Sequence, residues 1–306
     1  MELDQLKGFF HVAKLKSFTR AAGKMYLTQP AISLQIKALE KELGEKLFER
    51  TGRRVSLTMA GEVLFRLAEE IVTKLDEIRC VIGELHDLER GRCVLGTSDT
   101  TSLYFIPELI KEYREAHPKI ELQVRNRISQ EVVRLVLDCE VDLGIVTLPV
   151  EEPRLTVVPL FKHPLACVVA SAHPLSNRRS IRASDLRGEP MVALERNSTT
   201  RRRIDAYLAA SGVQPRTAIE LSSFETIKKF VAIGLGVAIV PERAATSASD
   251  GIRTVRFAKS PPCIQLGAIY RKDRFLPHPA RVFLELAQAY FQTGRGEPEQ
   301  TAASPD

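Results

Sequence analysis

The chain contains no tryptophan, only five cysteines, and no hydrophobic run long enough to span a membrane. Cys80, Cys93, Cys139, Cys167 and Cys263 are scattered, odd in number and without Cys-x-x-Cys spacing. That pattern argues against a disulfide framework or a structural zinc site, and the cysteines read as small apolar residues. The amino end carries Glu2 and Asp4 where a secretory signal would be basic, so a cytoplasmic location is expected. No Gly-x-Ser-x-Gly elbow and no metal-spaced histidine cluster occurs, so a catalytic reading of Ser198, His163 or His173 has little support. Each of the two histidines precedes a proline, and both read as loop residues. Gly234-Leu235-Gly236 lies between a helix pattern and a strand pattern. It reads as a turn, not a nucleotide loop, and no cofactor is expected.

What is present is length and apolar content. There are 306 residues, 44% of them hydrophobic, enough for two or three domains. The net charge of +6 is unevenly placed. Residues 1–58 hold 11 Lys/Arg against 6 Asp/Glu, whereas residues 59–90 hold 4 against 8. A concentrated cationic excess at one end is what phosphate neutralisation requires. The last segment, 294–306, lacks large apolar residues and reads as a flexible tail.

Within the cationic part, Thr28 is a good N-cap and Pro30 falls in the first helical turn, where its missing N–H costs little. Ile32, Ile36, Leu39 and Leu43 then form one apolar stripe, and Gly44 supplies a helix end. Gln29, Ser33 and Lys37 follow one another at i, i+4 on another face. Gln pairs bidentately with adenine, Ser bonds several bases, and Lys suits guanine or phosphate. Two further helices, one with Leu3, Leu6, Phe9, Phe10 and Ala13 and one from about Phe18 to Met25, complete a three-helix core. An Arg-rich hairpin turns at Gly52. Its Arg50, Arg53 and Arg54 suit phosphate or a narrow minor groove.

The runs SFTRAA, LTQPAIS, LEKELGEKLFER and LT-x-AG together resemble the winged helix-turn-helix of LysR-type transcriptional regulators, over about residues 1–293. The resemblance implies DNA contacts at Thr28, Gln29, Pro30, Ser33, Lys37, Arg50, Arg53 and Arg54. Position 34, often basic in that family, is Leu34. This either moves a contact to a thymine methyl or removes a phosphate contact. Some members sense peroxide through a cysteine pair, but no cysteine lies between Cys167 and Cys263.

From Thr58 to about Leu88, Leu64, Leu67, Ile71, Leu75, Ile78, Ile82 and Leu85 step by three or four residues. This nearly heptad seam with acidic flanks predicts a long helix at 59–90 that pairs with a copy of itself. Two identical readers would then meet a pseudo-palindromic promoter site on double-stranded DNA. The family resemblance adds a homotetramer to this homodimer.

Beyond Gly91 strand and helix patterns alternate, which implies a parallel sheet covered on both sides. Strands are expected at Cys93–Gly96, Ile120–Val124, Leu143–Val146, Leu165–Ala170, Met191–Leu194, Val237–Val240 and Ile264–Ile269. Helices are expected at Thr101–Ala116, Glu131–Leu137, Thr200–Ala210, Phe224–Ile233 and Pro279–Phe291. The chain leaves a first lobe (about 91–162) near Leu160–Pro164, forms a second (about 163–263), and returns (about 264–293). The overall expectation is an α/β protein with a winged helix-turn-helix at 1–58, a linker helix and a two-lobed effector domain. The last resembles that family's effector domain and, in fold, periplasmic binding proteins.

Ligands of open α/β sheets sit at strand carboxyl ends beside helix N-termini. Ser98, Thr100, Thr101, Ser129, Thr147, Asn197, Ser198 and Thr199 are the candidate effector-binding residues, with Ser222 and Ser223 opening another helix. Each is also simply a good capping residue; their convergence on one cleft would mark a site. Free amides favour a small anion, Arg201, Arg202 and Arg203 could add charge, and Asp99 opposes it unless it caps its own helix and points away. The leading expectation is a DNA-binding regulator modulated by a small, anionic effector. The alternative is a periplasmic-type ligand-binding protein with no DNA role.

Overall fold

A computed structural model describes residues 1–51, 54–86, 90–246, 250–258 and 261–294. It divides into two compact units, Met1–Leu85 and His86–Asp306.

The first unit is helical. Helix α1 (Leu3–Leu15), α2 (Phe18–Met25) and α3 (Gln29–Leu43) pack around Leu6, Phe9, Phe10, Val12, Ala21, Ala22, Ile32, Ile36 and Leu39, all buried. The Thr28 hydroxyl accepts from the Ala31 amide, so the expected N-cap forms, and the Ser17 hydroxyl caps α2 in the same way by accepting from the Arg20 amide. Strands β1 (Phe48–Thr51) and β2 (Arg54–Leu57) pair antiparallel, and the Phe48 ring meets those of Phe9 and Phe18 at 5.3 and 5.6 Å. The hairpin turn at Gly52 and Arg53 lies outside the described residues.

Helix α4 (Met59–His86) follows. Thr58 braces its start: its hydroxyl donates to the Lys46 carbonyl at 2.6 Å and accepts the Gly61 amide at 3.0 Å. A Cβ on Gly61 would lie 2.2 Å from the Leu47 carbonyl oxygen, which explains glycine in the LT-x-AG run. Ala68 and Val72 face the three-helix core, while Leu67, Ile71 and Ile78 are 52, 42 and 54% exposed. The Ile82 and Leu85 side chains of the expected seam lie outside the described residues.

The second unit begins with β3 (Gly91–Thr97), α5 (Asp99–Tyr104), α6 (Pro107–Ala116), β4 (Ile120–Asn126), α7 (Ser129–Leu137) and β5 (Leu143–Leu148). The single helix expected from Thr101 to Ala116 is two helices, because Pro107 has no amide to continue α5 and instead starts α6.

Strand β6 (Leu155–Ala170) corrects a second expectation. It is one 16-residue strand that runs through His163-Pro164, with no loop there. Its first part pairs with β12 (Cys263–Arg271) as far as Pro164 opposite Cys263. Its last part pairs with β10 (Ala238–Pro241) and β11 (Ile252–Phe257). The crossing segments are tied by the Leu165 amide donating to the Pro262 carbonyl at 2.8 Å.

The sheet is therefore mixed, not parallel throughout. β3 is parallel to β4 and β5, whereas β12 is antiparallel to β5 and β6, since it returns from the second lobe. The second lobe adds β7 (Ser180–Ile181), β8 (Pro190–Leu194), α8 (Thr199–Ala210), β9 (Arg216–Leu221), α9 (Phe224–Ala232) and α10 (Glu242–Thr246). β8 and β9 pair in parallel. Strands β7, β9 and β11 go beyond the sequence expectation. Finally α11 (His278–Gln292) lies against β3 and α6, where the buried Tyr113 hydroxyl donates to the Pro279 carbonyl at 2.7 Å.

Candidate nucleic-acid surface and candidate effector cavity

Helix α3 has two distinct faces. Ile32, Ile36 and Leu39 are buried, whereas Thr28, Gln29, Pro30 and Lys37 are exposed and Ser33 is half-buried. The Gln29 amide donates to the Ser33 hydroxyl at 3.0 Å, so the two share one polar patch. Thr28 is held by its capping bond to the Ala31 amide at 3.4 Å. Of the wing arginines, Arg53 and the side chains of Arg50 and Arg54 lie outside the described residues. Leu34 projects into solvent beside the polar patch.

In the second unit a cavity of about 390 Å³ opens at the strand carboxyl ends. Of the eight candidate effector residues, Ser98, Thr100, Ser129, Thr147, Asn197, Ser198 and Thr199 line it. Thr101 does not: it is fully buried beneath them, and its hydroxyl lies 2.8 Å from that of Ser98. The starts of α5, α7, α8 and α9 all border the cavity, at Ser98, Ile128, Ser198 and Ser223. The Ser98, Ser198 and Ser223 hydroxyls are used as caps, accepting from the Thr101, Arg201 and Glu225 amides. Among the described residues, no bond within the chain engages the side chains of Thr100, Ser129, Thr147 or Asn197.

The charges differ from the sequence expectation. Arg201, Arg202 and Arg203 do not line this cavity. Arg201 is buried, its guanidinium spent on Asp205 at 2.8 Å, the Leu194 carbonyl at 2.6 Å and Thr217 at 3.2 Å. Arg202 donates to Thr199, and Arg203 donates across to the Leu148 carbonyl at 3.1 Å. The unexpected β9 supplies Thr217 and Glu220, which is why Arg201 turns inward. The cation at the cavity is instead Arg127, on the loop after β4, which sequence reasoning missed. Asp99 does not cap its own helix and turn away. It lines the cavity and accepts from Asn126 at 3.2 Å and from Ser223, in the other lobe, at 3.4 Å. Glu131 and Glu195 also line it.

A second link between lobes lies nearby. Lys228 is 1% exposed; its ammonium meets Glu225 at 2.8 Å, the Ala244 carbonyl at 3.0 Å and the Tyr104 ring at 5.8 Å. Tyr104 in turn bonds Glu225. Burial raises the Glu225 pKa, but its bonds to Lys228 and Tyr104 outweigh this and hold the carboxyl below its ordinary range. At the crossover His163 is fully buried against Phe105, and its Nε2 accepts the Arg243 amide at 3.1 Å. Burial, with the Arg243 charge behind it, pushes its pKa down to about 4, so the ring is neutral near pH 7. Burial pushes the Cys93 and Cys167 thiols up to about 12, which makes them poor nucleophiles.

A helical module presenting a polar and cationic helix face, joined to a two-lobed α/β unit with a polar cleft, defines a ligand-responsive DNA-binding regulator. Sequence comparison agrees over both units. Residues 3–62 match the family model "Bacterial regulatory helix-turn-helix protein, lysR family", and residues 86–292 match "LysR substrate binding domain". The chain belongs to the LysR family of transcriptional regulators, proteins that bind DNA and small-molecule effectors and are not enzymes.

It is 33% identical to the probable RuBisCO transcriptional regulator of Cyanophora paradoxa, over 99% of this chain and 96% of that protein. It is 33% identical to the HTH-type transcriptional activator CmpR of Synechocystis, over 78% of each. A full-length OxyR variant from Pseudomonas aeruginosa superposes with a TM-score of 0.73 at 26% identity, covering 95% of both chains. CbnR in complex with its target DNA shares the fold, with a TM-score of 0.60 at 22% identity, covering 94% of this chain and 99% of that one. A ligand-binding protein with no role on DNA is not supported by these relationships. Among the described residues no helix is long and apolar enough to cross a membrane.

Proposed function

We propose that the chain acts as a cytoplasmic homodimer, assembling further into a tetramer, that grips pseudo-palindromic promoter DNA and changes its grip when a small anionic effector occupies the cavity. In each reader Thr28, Gln29, Pro30, Ser33 and Lys37 approach the major groove, and Arg50, Arg53 and Arg54 reach the neighbouring backbone. Residues 1–58 form the reader, 59–90 the pairing helix and 91–293 the sensor. The exposed Leu67, Ile71 and Ile78 on α4 support self-pairing, since an apolar row on a helix of about 42 Å needs a partner.

The observation that carries the effector reading is the convergence of four helix N-termini on one cavity flanked by both lobes. Their free amides and dipoles favour negative charge. An effector touching Ser98, Thr100, Ser129 and Thr147 on one side and Asn197, Ser198 and Thr199 on the other favours one lobe arrangement by its differential affinity. The relatives named for RuBisCO regulation make promoters of carbon-fixation genes the first DNA fragments to try. The test is a thermal-shift screen of the full-length protein against metabolite anions, followed by DNA-binding titration with each hit. Stabilisation by an anion together with an altered DNA footprint is expected. Stabilisation only by cations or neutral compounds would overturn the anionic reading.

A further inference from the structure

One side chain on the reader helix belongs neither to its core nor to its polar patch. Leu34 is 71% exposed, although Ile32 and Ile36, two residues away on either side, are buried. It lies four residues after Pro30 and three before Lys37, so helical geometry stacks it in the row those two exposed residues define. Pro30 and Leu34 together make a small apolar spot within an otherwise polar surface. On duplex DNA the apolar feature of a major-groove base edge is the thymine 5-methyl; phosphates and the remaining edge groups are polar and offer an isobutyl group nothing.

We propose that Leu34 is a specificity-determining residue that packs on a thymine 5-methyl in each half of the DNA site. The contact replaces the ionic one that a basic side chain at this position would make. It adds little to non-specific binding, since it neutralises no phosphate, and acts almost wholly on sequence choice. The inference rests on α3 being the DNA reader, and its test separates the two ideas.

Duplexes enriched by the full-length protein from a randomised pool are rebuilt with each thymine in turn replaced by deoxyuridine, which removes only the methyl. At one position per half-site the replacement weakens wild-type binding about fourfold, the loss set by roughly one buried methyl-sized group. Leu34→Ser binds the thymine and deoxyuridine duplexes equally. It keeps wild-type affinity for bulk competitor DNA, which also reports that the reader is folded. Repeating the enrichment with Leu34→Arg shifts that base pair toward guanine. Deoxyuridine without effect at every position, or an effect that persists undiminished in Leu34→Ser, overturns the role of Leu34 while leaving α3 as the reader. A pool that yields no enriched sequence at all removes the reader itself, and this inference with it.

Discussion

The two units of this chain use polar residues in opposite ways. In the first unit the core is made by helices adjacent in sequence, and the polar groups of α3 stand outward. In the second unit the core is made by strands remote in sequence, and the candidate effector residues line a cleft between lobes joined by β6 and β12. The second unit is a pair of lobes linked by cross-lobe bonds, among them Asp99 to Ser223, Tyr104 to Glu225 and Arg203 to the Leu148 carbonyl.

Each unit has one glycine whose replacement tests this contrast most harshly. A Cβ on Gly61 would sit 2.2 Å from the Leu47 carbonyl oxygen. One on Gly236, at φ +152°, would sit 2.2 Å from the Pro190 carbonyl oxygen, where Val237 and Val192 bridge β8 to the turn before β10. Gly61→Ala and Gly236→Ala should each cost about 3 kcal/mol or more. Hydrogen exchange should place the loss in α1–α4 for the first and in β8–β10 for the second; loss spread equally over both units would break the distinction. Next in size is Arg201→Met, which leaves Asp205 and the Leu194 carbonyl without their donor. A loss of about 2 kcal/mol in urea unfolding is expected. An unchanged midpoint would mean the buried guanidinium is not structural.

A smaller effect sharpens the reading of the cavity. Asp99→Asn removes one carboxylate while keeping an oxygen to accept from Asn126; its NH2 group takes the place of the oxygen that accepts from Ser223, and there donates to that hydroxyl instead. Anionic effectors should bind several-fold more tightly, with DNA affinity in their absence unaltered; weaker anion binding would show that Asp99 contacts a cationic or hydroxyl group of the ligand. A pH effect sits at the crossover. The unfolded His163 titrates near 6.5 and the folded one at about 4, so the unfolded state takes up the proton first. Its contribution is fully present above about pH 6.5 and is lost as pH falls toward 4. In His163→Gln the difference in unfolding midpoint between pH 7 and pH 5 should shrink; an unchanged difference would place the titration elsewhere.

How much could be read from the sequence follows the same division. Thr28, Pro30, the apolar stripe and Gly44 mark α3 because capping and helical periodicity are local signals. The split of α5 from α6 was also legible at Pro107, had its missing amide been weighed against the apolar pattern. Strand β9 alternates half-buried and exposed positions from Arg216 to Leu221 and was readable as a strand, but which strand it pairs with was not. That gap misplaced Arg201, since the groups that capture it come from β9 and from the end of β8. The length of β6 was hidden by Pro159 and Pro164. Both are tolerated because Pro164 sits at the crossover and Pro159 opposes Gly267, where the register slips. Arg127 gave no signal beyond being one arginine among many. Its place at the cavity follows from the parallel pairing of β3 with β4, a contact between residues about thirty apart.

The most direct test of the account is the ratio of specific to non-specific DNA affinity in full-length Gln29→Ala/Ser33→Ala, measured at one fixed salt concentration. Because Gln29 and Ser33 bond each other, the pair is removed together. The account predicts that this ratio falls at least tenfold while bulk DNA binding persists; an equal loss on both kinds of DNA would contradict base reading by α3.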